Sequence, residues 1–140
     1  MTDTARRIRV PLLPASVRWA VVLGVAGTIA VASVLRPASV GRALGPLGLV
    51  GADKWAHALG YAGLALALAY ALQDWQVERT LAVVFLAAVA FGLAMEGVQA
   101  TIPYRSASLL DATANAVGAT LAVAIWLALR RRVRFRPRRA

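Results

Sequence analysis

Residues Thr80–Ala100 read TLAVVFLAAVAFGLAMEGVQA. No charge and no proline interrupt the run from Thr80 to Met95. At about 1.5 Å of rise per residue, such a helix matches a hydrocarbon layer roughly 30 Å thick. A domain of 140 residues has too small a core to wrap a helix that is apolar all round. Three more segments follow the same rule, at about Val17–Leu35, Trp55–Leu72 and Leu109–Leu129. The expected fold is therefore all-α, an integral membrane bundle of four transmembrane helices.

The composition points the same way. The chain is 60% hydrophobic and only 16% charged, where soluble domains run near 45–50% and about 25%. Its mean hydropathy is +0.67. The net charge of +10 invites a nucleic-acid reading, but the arrangement of that charge opposes it. Of the 16 basic residues, seven lie in Arg130–Arg139 and four in Arg6–Arg18. They flank apolar segments and form no basic stripe or recognition motif, so no nucleic-acid partner is expected. There is no cysteine, which excludes disulfide and thiolate-metal frameworks.

Pro37 and Pro103 stand where the first and third helices should stop. The organisation expected is a cytoplasmic segment over residues 1–16, a four-helix domain over 17–129 and an Arg-rich cytoplasmic tail over 130–140. The apolar stretch after Arg6, Arg7 and Arg9 exceeds the usual 7–15 residues of a signal peptide, so it reads as a retained span. Four spans leave both termini on one side, together with Arg79 in the hairpin Gln73–Arg79. That side holds twelve basic residues; Arg36, Arg42, Lys54 and Arg105 make four on the other. Positive charge stays inside, so both termini should be cytoplasmic in a multi-pass protein of the cell membrane. Gly24, Gly27, Gly60, Gly63, Gly92 and Gly118 are expected at helix contacts, and Trp19, Trp55, Trp75 and Trp126 at headgroup level.

Polar residues collect at particular helix ends. The second span opens with Asp53, Lys54, His57 and Tyr61, the third closes with Glu96 and Gln99, and the fourth opens with Asp111 and Asn115. Counting spans puts all three sets at one depth, near the outer surface. Asp53, His57 and Tyr61 repeat every four residues, as do Asp111 and Asn115, while Glu96 and Gln99 are three apart. Each set shares a helix face, and that face should turn from lipid into the bundle or a wet recess. Such a set can do acid–base chemistry or bind a ligand. It can equally be a packing network in which Lys54 and Arg105 neutralise the carboxylates and Gln99 and Asn115 bridge helices. No H-E-x-x-H spacing, phosphate loop or nucleophile elbow is present, so neither metal nor cofactor is expected; Ser106 and Ser108 are candidate nucleophiles by proximity alone.

These blocks resemble the VanZ-like family. The matching strings are Asp53-Lys54-x-x-His57-x-x-x-Tyr61, then Glu96-x-x-Gln99-x-x-x-Pro103-x-Arg105, then Ser106-Ala-Ser108 and Asp111-x-x-x-Asn115-x-x-Gly118. Together they span about residues 50–120. Tyr104 stands where the family often has glycine, and Leu121 and Ala122 occupy the region of a second family glycine. The resemblance implies a small bacterial or archaeal membrane protein. The family takes its name from low-level glycopeptide-antibiotic resistance.

The leading expectation is a site open to the outer leaflet that binds or processes an envelope component such as a lipid-linked or surface glycan. His57 and Glu96 would handle protons, with Asp111 orienting His57. Lys54 and Arg105 would hold an anionic group, and Asp53, Tyr61, Gln99 and Asn115 would complete the binding surface. A non-enzymatic scaffold for envelope machinery is the alternative. A small transporter is less favoured, since no ionisable group sits at mid-depth and no broken-helix pair is visible.

Overall fold

The computed structural model describes residues 8–36 and 44–137. Among them are four helices: α1 (Ala15–Val34), α2 (Ala52–Ala71), α3 (Val77–Ala100) and α4 (Leu109–Arg132). They agree with the expected spans to within about a turn. α1 starts directly after Pro14, whose ring fixes the entry of the chain. α4 is capped by Ser108, whose Oγ accepts from the Asp111 N–H at 3.2 Å. Pro37, expected to end the first helix, lies outside the described residues, as do Arg6, Arg7, Arg42, Arg138 and Arg139.

Among the described residues, α1, α3 and α4 are the helices long and apolar enough to cross a membrane. α2 is not, because Asp53, Lys54 and His57 crowd its first two turns. Its placement explains how that is tolerated. α2 packs against α1, α3 and α4 and buries Tyr61, Leu64, Ala65, Ala69 and Ala71. Around it lies a core of small side chains, with Ala88 from α3 and Ala119 and Ala122 from α4. The outer faces are the reverse, with Leu23 70% and Leu86 64% exposed. Large aliphatic side chains outside and alanines inside suit a surround of hydrocarbon.

The closest helix approach is between α2 and α4. A Cβ added at Gly118 would run into the carbonyl oxygen of Ala58. At Gly92 on α3 it would meet Asn115 Nδ2 at 3.0 Å and Tyr61 Cε1 at 3.2 Å. These two glycines behave as expected for contact positions. Gly24, Gly27 and Gly63 do not; nothing lies within 4 Å of a Cβ built there.

Two strands lie where α1 begins and α4 ends, in the segments expected as an N-terminal flank and an Arg-rich tail. β1 (Ile8–Leu12) pairs in parallel with β2 (Val133–Pro137), Ile8 beside Val133 and Val10 beside Phe135. Both ends of the described chain therefore emerge together. The alternation Val133-Arg-Phe-Arg136 carries this strand in the sequence, but counting arginines hides it. Phe135 stacks on Trp126 at 5.7 Å between centroids and lies 5.4 Å from Tyr70. Trp126 is thus only 4% exposed, in the core and not in an aromatic belt; Trp19 and Trp75 are exposed.

Arg18 and Arg130 tie this end to the α2–α3 turn. The Arg18 guanidinium donates to the carbonyls of Ala71 at 3.0 Å and Tyr70 at 3.3 Å, and pairs with Asp74 at 2.9 Å. It closes the last carbonyls of α2, where a cation is favoured. Arg130 donates to the Gln73 carbonyl at 2.7 Å. Counted from sequence as a topology charge, Arg18 is 6% exposed and a structural residue.

Gly118→Ala should lower the stability of the detergent-purified protein by about 1–3 kcal/mol, the usual cost of overpacking, read as a drop in Tm. Gly63→Ala should leave the Tm unchanged.

Candidate functional site

The C-terminal ends of α1 and α3 and the N-terminal ends of α2 and α4 meet at the end of the bundle away from the strands. Helix direction alone brings the three polar sets together there. Asp53, His57, Tyr61, Gln99, Arg105 and Asp111 line one recess of about 390 Å³. Ile29, Ala32 and Ser33 of α1, with Gly60, add a largely apolar wall. Lys54, Glu96 and Asn115 are not in the lining.

Lys54 is clasped by two carboxylates. Its ammonium pairs with Asp53 at 2.7 Å and, closer still, with Asp111. Burial works against that charge, but the Asp111 and Asp53 bonds together hold its pKa above the ordinary lysine value. The Lys54 hydrogen bond in turn holds the Asp53 carboxyl below its usual range, against the effect of burial. Both residues sit in the first turn of α2, ahead of its apolar stretch. An ammonium so neutralised is spoken for by the protein itself, contrary to the expectation that it holds an anionic ligand.

His57 is oriented mainly by Asn115. Its Nδ1 lies 3.0 Å from Asn115 Oδ1, while Nε2 is 3.8 Å from Asp111 Oδ2. An Nδ1–H donated to Asn115 leaves Nε2, on the Asp111 side, as the ring's acceptor nitrogen. The closer partner of Asp111 is Lys54. Asn115 is 2% exposed and sits beneath this pair, its Nδ2 beside Gly92.

Glu96 has a different partner from the one expected. Its Oε2 accepts from the Ser108 N–H at 2.7 Å, so it fastens the start of α4 to the end of α3. Among the described residues it makes no hydrogen bond to His57. Ser108 is occupied as a cap by Glu96 and Asp111; Ser106 lines the recess. Among the described residues no three of His, Asp and Glu gather as metal ligands.

The rim comes from the α3–α4 turn, folded over the end of α1. Tyr104 donates its hydroxyl to the Val34 carbonyl at 2.8 Å, and its ring lies 5.0 Å from the Arg36 guanidinium. Arg105 reaches the Leu35 carbonyl at 3.4 Å and has no carboxylate partner among the described residues. Gln99 donates to the Ser33 carbonyl at 3.3 Å. The contribution of α1 is invisible in the sequence, since Ser33 is its one polar side chain here and it binds through its backbone.

Chemically, the recess presents one imidazole, one guanidinium without a carboxylate partner among the described residues, two carboxylates, two phenols, an amide and two serines. That set suits a polar, hydroxyl-rich or anionic ligand with an apolar portion against α1. The chain matches no protein-family model, no curated protein and no solved structure.

Glu96→Gln keeps a carbonyl to accept from Ser108 and should leave the protein folded with a small loss of Tm. Glu96→Leu strands that N–H and should cost about 1–3 kcal/mol, read by thermal unfolding in the same detergent.

Proposed function

We propose that this chain is a VanZ-like protein with four membrane spans and cytoplasmic termini, whose recess binds the polar head of a cell-envelope component from the extracytoplasmic side. A lipid-linked or surface glycan is the ligand class that fits. The observation that carries the reading is the recess itself: nine polar residues from four helices and a turn line 390 Å³ of space, in a chain with only 16% charged residues. Polar groups this near a bilayer are costly, and bare helix pinning does not need so many.

Binding is the role assigned to the recess, since Glu96 is engaged by the Ser108 N–H. Arg105 would anchor an anionic or polar group, with Gln99 and Tyr61 positioning it and His57 accepting a proton from it. Lys54, Glu96 and Asn115 would hold the frame. Four spans follow if α2 crosses the bilayer with the other three helices, shielded by them at its polar end. Cytoplasmic termini follow from the twelve-to-four basic asymmetry. Altered glycopeptide tolerance would be a downstream consequence of engaging such an envelope component.

One set of contacts favours a second reading. Lys54 with its two carboxylates and Glu96 with Ser108 are satisfied internally, as expected of a scaffold whose polar cluster serves stability alone.

His57→Ala and Arg105→Ala remove recess groups and spare both of those contacts. In a host lacking the native copy, each should abolish the envelope-stress or antibiotic-susceptibility phenotype at unchanged membrane abundance. A phenotype that only tracks abundance would select the scaffold. For topology, a cysteine at Ser106 should label with an impermeant maleimide in intact cells, and one at Arg132 only after permeabilisation.

A further inference from the structure

A second cavity, of about 690 Å³, lies at the strand end of the bundle. The start of α3, the end of α4 and β2 enclose it, and Arg130, Arg131, Arg134 and Arg136 line it beside one carboxylate, Glu78. Among the described residues none of these arginines is in an ion pair. Arg130 is held to the Gln73 carbonyl. The other three have no such tie to the bundle among the described residues.

The strand register supplies a second, independent observation. Arg9 of β1 stands beside Arg134 of β2, and paired residues of a parallel ladder project to the same face. Arg136, two residues on, shares that face. Like charges facing each other across a strand pair repel, and a two-stranded sheet is marginal to begin with. The Phe135–Trp126 stack secures the other face but does nothing for the repulsion. A bound anion with several oxygens would relieve it, and forked guanidinium groups match such oxygens.

We propose that this cavity binds the phosphate of an anionic phospholipid headgroup. The lipid source follows from the rest of the lining. Val77, Leu127 and Phe135 set apolar surface beside the arginines, at the ends of α3 and α4, which are long and apolar enough to cross a membrane. A headgroup would meet the guanidinium groups while its glycerol and first methylenes met the apolar wall. The site depends on a bilayer setting and not on the recess at the other end.

The full chain, purified in detergent, is titrated with dioleoyl phosphatidylglycerol, with phosphatidylcholine of the same chains, and with inorganic phosphate, and bound lipid is counted by native mass spectrometry. Phosphatidylglycerol should bind at least about 5-fold tighter than phosphatidylcholine. The double variant Arg134→Gln/Arg136→Gln should lose roughly 25-fold, at about 5-fold per arginine near an anionic surface. A measurement on the wild type alone guards against misfolding of that variant: phosphatidylglycerol should raise its Tm and phosphatidylcholine should not. Equal binding of the two lipids, or an unmoved wild-type Tm, would overturn the proposal. Phosphate binding as tightly as the lipid would assign the cavity to a soluble anion and overturn it equally.

Discussion

The approach of α4 to α2 at Gly118 and Ala58 governs the geometry of everything above it. These two helices run in the same direction, so contacts advance together along both: Lys54 meets Asp111, His57 meets Asn115, and the Ala58 carbonyl meets Gly118. A side chain at position 118 would wedge the helices apart and draw all three pairs out of reach. Backbone proximity is what lets short polar side chains satisfy one another with little water between them. Small residues at helix contacts are the general device for this where the surround is apolar. Here the device also sets the spacing of an ionic cluster.

A parallel pair of helices needs a return path, and α3 provides it. Its last turn brings Glu96 to the Ser108 N–H at the start of α4, a carboxylate placed where the first unpaired amides of a helix welcome negative charge. Arg18 does the complementary work at the far end, a guanidinium on the last carbonyls of α2. Each turn of the α2–α3–α4 path is thus fastened by a charged group on backbone, the kind of contact that survives where water is scarce. α1 packs on α2 through Val22, Val25 and Ile29 and is tied by backbone contacts at both ends, through Arg18 near its start and the carbonyls of Ser33, Val34 and Leu35 near its close.

Much of this was legible in the sequence, because length and apolarity are long-range signals that a single chain displays. The four-residue spacing of Asp53, His57 and Tyr61, and of Asp111 and Asn115, correctly announced faces that turn inward. Partner choice was not legible. Nothing in the spacing says that Asn115, at 3.0 Å, and not Asp111, at 3.8 Å, takes the closer bond to His57, since both lie on the same face of α4. The bond from the Ser108 N–H to Glu96 is equally hidden: in sequence, a carboxylate one turn from a helix end looks alike whether it faces a histidine or a neighbouring amide. Arg18 was counted as a flanking charge although it lies inside the helix, and the strand alternation of Val133–Arg136 disappeared within a count of arginines.

The two ends of the bundle have opposite electrostatic characters, and that difference constrains what each can bind. At the recess end Asp53, Glu96 and Asp111 stand against Lys54 and Arg105. Charge there is nearly balanced and mostly consumed internally, so selectivity must come from directed hydrogen bonds, which suits ligands bearing hydroxyls and few charges. At the strand end the arginines outnumber Glu78 and Arg9 stands beside Arg134, so charge there is unrelieved among the described residues and polyanionic oxygens are the natural complement. A single bundle thus carries a recess tuned by geometry at one end and a cavity tuned by charge at the other, with α2 and α4 running between them.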